Sequence, residues 1–393
     1  MKKIILLLLI CFISVSGIYA GDEWRIPDRS WEIGFAHIDF GFSNNFISLT
    51  DIFKETIVLD IDELKDGFFL NFNITAAPLY FSFNSNNVWG FGVSLGIDAA
   101  GAIGLSGKML TFSDALDEKS DFAVSMHAQI QFSTFFHISK LKIKIAPSVY
   151  YPVIYTEPSI TYTKYNTAAG TELFMKYDMK IFSAASFAPG NAGEITGSPG
   201  LDFNIGFEFP LAEVTGLKDK INFLDFSVGL DIYYIPMIPA KMQDYMQMRG
   251  WIGSENKPID IFKGGLPEIN IGDTSYGIEP KSVRRPIKLN IWADWRPFGF
   301  LGVTPLIGFS VDGAFVNAFT LEAGLKARLD LGNIFILTLG MGYYDRVWEN
   351  SIDIALNFRA IEINLGASLL SHNFIESWTN GSPGLRFGLK FGW

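Results

Sequence analysis

The chain has 393 residues, 49% of them hydrophobic, with 36 Phe, 14 Tyr and 9 Trp, and a formal net charge of −10 at pH 7. That acidic balance, with no cluster of Lys and Arg, excludes a nucleic-acid partner. The one cysteine, Cys11, lies in the N-terminal apolar run, so the rest of the chain has neither a disulfide nor a thiolate metal site.

The chain opens Met1-Lys2-Lys3, runs apolar from Ile4 to Ile13 and reaches the small residue Ala20 just before Asp22-Glu23. A basic start and an apolar run short of the ~20 residues that span a bilayer predict a Sec-type signal peptide over residues 1–20. Residues 21–393 are then expected outside the cytoplasm.

A first non-strand segment follows. Ser48 is a suitable N-cap for a run in which Leu49, Ile52, Phe53 and Ile57 share one side, and Asp60 to Asp66 ends at Gly67, a suitable C-cap. The expectation is a short helix within residues 44–67, folded into a lumen as a plug or placed at either membrane surface. Gly107 to Ser120 has a weaker helical reading.

From Asp121 onward the rule is alternation. Phe122, Val124, Met126, Ala128, Ile130 and Phe132 oppose Ala123, Ser125, His127, Gln129, Gln131 and Ser133. The pattern recurs where Phe226, Val228 and Leu230 oppose Asp225, Ser227 and Asp231, where Leu321 and Leu325 oppose Glu322 and Lys326, and where Ile361, Ile363 and Leu365 oppose Glu362, Asn364 and Gly366. Segments of about ten residues with one apolar and one polar face are the mark of strands set between lipid and lumen. Hydrocarbon offers no partner to an open sheet edge, so the sheet has to close. The fold class expected is all-β: a transmembrane antiparallel β-barrel of roughly 14–16 strands.

Very short connections at Ile138 to Lys140, Leu331 to Asn333 and Arg359-Ala360 are assigned to the periplasmic end, and the polar stretch Gly250 to Val283 to the longest outward loop. Strand phase turns Asp202, Glu208, Asp225, Asp231, Asp294, Glu322, Asp330, Asp353 and Glu362 inward, with Lys142, Lys144, Lys288, Lys326, Arg328, Arg359, Arg386 and Lys390. This near balance argues against the single-sign ring of a strongly ion-selective pore.

Met242, Tyr245, Met246, Met248 and Trp251 crowd the strand before that loop. Adaptable Met and aromatic side chains suit an apolar ligand of irregular shape, and with Phe53 they form the candidate ligand-binding set. Lipid-facing or girdle positions account for the same residues equally well. The histidines His37, His127, His137 and His372 have no ligand spacing, and Ser125 with His127 lacks an oriented third group. No cofactor, metal or enzymatic activity is expected.

The chain ends Arg386-Phe387-Gly388-Leu389-Lys390-Phe391-Gly392-Trp393. Arg386, Gly388, Phe391 and Trp393 resemble the C-terminal assembly signal of bacterial outer-membrane proteins, implying the barrel-assembly machinery and outer-membrane lipids as partners. The whole layout resembles the long-chain fatty-acid transport family: signal peptide, early non-strand segment, amphipathic strands, aromatic last residue. The N-terminal Asn-Pro-Ala signature of that family is absent; Asn44-Asn45-Phe46 is the nearest stretch. The resemblance implies passive uptake of small apolar molecules such as fatty acids. A general diffusion porin and a surface scaffold or adhesin are the alternatives.

Overall fold

The computed structural model describes residues 29–44, 68–85, 88–105, 116–157, 160–167, 170–186, 193–216, 223, 225–253, 268–270, 274–311, 319–344, 347–379 and 381–393. The first strands are β1 (Trp31–Asn44), β2 (Phe68–Ser85), β3 (Trp89–Leu105), β4 (Leu116–Ile138), β5 (Leu141–Glu157), β6 (Ile160–Thr167), β7 (Gly170–Ser183) and β8 (Gly200–Phe209). Next come α1 (Leu211–Val214), β9 (Asp225–Ile238), β10 (Ala240–Gly253), β11 (Glu268–Asn270), β12 (Thr274–Val283) and β13 (Ile287–Phe298). The last are β14 (Leu301–Val311), β15 (Phe319–Leu331), β16 (Phe335–Tyr344), β17 (Val347–Phe358), β18 (Ile361–Ser371), α2 (Glu376–Thr379) and β19 (Ser382–Gly392).

These strands make one closed antiparallel barrel of 14 wall strands. β1 pairs with β2 on one edge and β19 on the other, so neither chain end leaves an open row of amides. Trp31 and Trp393 finish this seam by exchanging backbone hydrogen bonds of 3.3 and 3.1 Å. Four wall strands are built from pieces: β6 carries on from β5, β7 runs on into β8, β9 into β10, and β11 and β12 into β13. The inner pieces pair β5–β8–β9–β13, and the outer ones β5–β7–β10–β12.

Short connections occur at both ends: β4–β5, β13–β14, β15–β16 and β17–β18 turn at the end that carries Trp31 and Trp393, and β6–β7 and β16–β17 at the other. Three of them hold a residue at positive φ: Ser139 at 57°, Asn333 at 58° and Arg359 at 51°, the backbone that tight hairpins need. Alternation sets the two faces. Leu321 is 57% exposed and its neighbour Glu322 0%; Ile291 is 55% exposed and Asn290 0%. The apolar residues point out, where lipid would replace water, and the polar ones line the lumen.

Three expectations are corrected. Gly250 to Val283 is not one loop: β10 runs to Gly253, and Thr274–Val283 pairs with Ala240–Met248. Gly277 and Pro280 spoil the alternation there, but ladder hydrogen bonds to β10 still satisfy the backbone. Leu116 to Ser120, read as the end of a helix, opens β4 and pairs with β6. Arg359 belongs to a turn, with its guanidinium 5.8 Å over the Trp393 ring, not to the lumen wall. The signal peptide and residues 45–67 of the plug segment lie outside the described residues; Asn44 ends β1.

Candidate functional site

Where these pieces join, a polar network centred on Arg285 links side chains of neighbouring wall strands. This residue lies in the three-residue link between β12 and β13, and its side chain is 3% exposed. Its Nε and Nη2 donate to Asp202 Oδ2 and Oδ1 of β8 at 2.8 and 2.6 Å. Arg285 also donates to Ser148 of β5 and Gln129 of β4, and Gln129 in turn donates to Asp98 of β3 at 2.8 Å. The guanidinium lies 4.2 Å from the Tyr234 ring centre and 4.9 Å from that of Tyr150. Such bidentate pairing and stacking suit Arg and would be lost with Lys.

The backbone is bent to make this network. Tyr234 has φ 57°, and its N–H bonds Asn204 Oδ1 at 2.8 Å. Tyr150 accepts from the Ala240 N–H at 3.2 Å and donates to the Val283 carbonyl at 3.0 Å, which pins the starts and ends of the outer strand pieces. Its ring fills the space where a Cβ at Gly200 would stand, so the close approach requires glycine.

Directly beside Tyr150's partners sits an apolar cluster on the inner face. Phe182, Met242 and Val283 are buried, and Tyr155 and Tyr245 pack against them. Phe182 and Tyr245 are register partners with ring centres 5.7 Å apart. A bulge between Met242 and Asp244 shifts the phase of β10, which is why an even-numbered and an odd-numbered residue meet here.

The sequence-derived ligand set is therefore divided. Met242 and Tyr245 join the inner cluster. Met246 pairs with Tyr276, on the face that also carries the 77%-exposed Ile278, and Met248 follows the same parity outward. Trp251 lies in β10 opposite Lys176 and Asn270, and Phe53 lies outside the described residues. Phe182, Val283 and Tyr155 were missed because each stands next to a strand break, where alternation loses its phase. Arg285 sits between strands, where parity gives no direction at all.

A second charged cluster lines the opposite part of the wall. Arg386 of β19 donates to Asp39 of β1 at 3.3 Å and to both oxygens of Asp353 of β17 at 3.1 Å, and it also pairs with Glu349. Gly366 leaves room for it: a Cβ there would lie 2.0 Å from Asp353 Oδ1. Other inward charges pair across neighbouring strands, including Lys142–Glu208 at 2.6 Å and Lys390–Glu362 at 3.0 Å. Of the assembly-signal residues, Arg386 serves this cluster and Gly388 faces His37, while Phe391 packs against Phe35 at 5.9 Å and Trp393 closes the seam.

No protein-family model and no curated protein matches the chain. Solved structures with a similar fold include the toluene transporter TodX of Pseudomonas putida, 10% identical, with a TM-score of 0.47 and 96% of this chain and 94% of that chain covered. A FadL homologue of Pseudomonas aeruginosa is 10% identical with a TM-score of 0.41, covering 92% and 88%. The translocator domain of the autotransporter NalP from Neisseria meningitidis is 8% identical with a TM-score of 0.35, covering 95% and 91%.

Proposed function

We propose that the protein is an outer-membrane barrel for passive uptake of small apolar molecules. The observation that carries this reading is the inner-face cluster of Phe182, Met242 and Val283 with Tyr155 and Tyr245. A general porin has a polar, water-filled interior, and packed Met and aromatic side chains inside a barrel have no use in passing hydrated solutes. They suit an apolar ligand that replaces them as packing partners. The Arg285 network beside the cluster ties β3, β4, β5 and β8 to the β12–β13 link with paired, buried charge, which favours a low steady conductance.

Two measurements on one preparation test the proposal. Protein purified in mild detergent is expected to bind toluene or hexadecanoate, and planar bilayers containing it are expected to show little steady conductance. A large, stable, weakly selective conductance without such binding would identify a general porin instead. Absence of both signals would favour the scaffold reading.

A further inference from the structure

The inner wall around Arg386 is unevenly charged. Asp39, Glu349 and Asp353 surround this one guanidinium, so three carboxylates face a single positive group. Next to them is a small recess of about 30 Å³, lined by Glu349, Ser43, Asn71, Asn73 and Tyr344 among others. Ser43 Oγ in its lining, on a residue 2% exposed, has no hydrogen-bond partner among the described residues, and neither has Asp39 Oδ2 in the adjoining cluster, on a residue 3% exposed. Orphaned acceptors at such burial are costly unless something occupies the recess.

We propose that this recess is a subsite for an organic ammonium group, the polar head of an otherwise apolar molecule. Each neighbouring feature fits that chemistry. Glu349 in the lining, with Asp39 and Asp353 behind it, supplies the counter-charge, Ser43 Oγ accepts an N–H donor, and Asn71 and Asn73 add side-chain carbonyl acceptors. The Tyr344 ring lies flat on the wall over Gly342 and Gly324, offering a π face to a cation. The acids do not converge on a point as metal ligands would, and no described group of three His, Cys, Asp or Glu residues is arranged to hold a metal ion. A carboxylate head would meet net repulsion at this recess, so the subsite prefers an ammonium to a carboxylate head. This inference rests on reading the lumen as a substrate path.

The test is calorimetric titration of the purified barrel with n-butylammonium chloride, sodium butyrate and butan-1-ol, with toluene binding measured on the same preparation. Butylammonium is expected to bind at least tenfold more tightly than butyrate, and Glu349→Gln and Ser43→Ala each to weaken it about tenfold without moving the butan-1-ol titration. Ser43→Ala removes no charge, so it keeps the test valid if Glu349→Gln fails to assemble. Equal binding of butylammonium and butyrate, or unchanged affinity in heat-modifiable variants, overturns the proposal. Toluene binding without ammonium preference would sink this subsite and leave apolar uptake standing; ammonium preference without toluene binding would do the reverse.

Discussion

Arg285 and Asp202 form a two-pronged ion pair inside the barrel, Nε to Oδ2 at 2.8 Å and Nη2 to Oδ1 at 2.6 Å, with both side chains almost fully buried. Removing one partner strands the other as an uncompensated charge, at a cost of about 3–5 kcal/mol. Arg285→Ala is therefore expected to lower the urea midpoint of the folded barrel markedly. Arg285→Met with Asp202→Leu, which removes both charges, is expected to recover most of that loss. A double variant no more stable than Arg285→Ala would show that the pair is not what holds the link.

Strand phase is testable by paired arginine substitutions. Val228 is exposed on the outer face, so Val228→Arg sets a charge against lipid at about 2–4 kcal/mol near the bilayer midplane. Ser227 faces the lumen opposite Asp294, so Ser227→Arg is expected to assemble normally. Gln129 also faces inward but is no neutral control, since it contacts Arg285 and an arginine there would repel it. Equal loss of outer-membrane protein from the Val228 and Ser227 variants would mean that the assigned facing is wrong.

Trp393 closes the seam through backbone hydrogen bonds to Trp31, and Phe391 meets Phe35 across β1 and β19. Deleting Trp393, or replacing Phe391 with Asp, is expected to reduce outer-membrane levels and to leave periplasmic, protease-sensitive protein. Heat-modifiable barrel at wild-type levels from both variants would contradict an assembly role for this strand.

The barrel was legible in the sequence because a single physical rule, lipid on one face and lumen on the other, is written into every regular strand. Val228, Leu321 and Glu322 all stand on the face that their parity assigns. The inner site was legible only where that rule holds. Met242 was found, but the bulge at Gln243 reversed the phase beyond it, so Met246 and Met248 were grouped with residues on the other side of the wall. Arg285 follows Arg284 and precedes Pro286 in a link without alternation, and only the fold brings it to Asp202, 83 residues away. The apparent charge balance had the same origin. Asp39 and Glu349 lie near strand segments that the alternation did not phase, and including them shifts the wall around Arg386 toward acid.

Inner-cluster packing and general barrel integrity respond to different substitutions. Phe182 and Met242 are fully buried on the inner face, whereas Met246 and Met248 follow the outward parity of β10. If the inner cluster is where apolar ligands pack, Phe182→Ala and Met242→Ala remove side chains that a ligand entering the cluster would pack against, and toluene affinity should fall about tenfold, equivalent to ~1.4 kcal/mol. Met246→Ala and Met248→Ala change only the lipid-facing side, and toluene affinity should stay within twofold of the parent. Because buried truncations of this kind also cost about 2–5 kcal/mol of stability, heat-modifiability is read on every variant before binding is compared. A uniform fall across all four would point to general weakening of the wall. No change in the two inner variants would remove the observation on which apolar uptake rests.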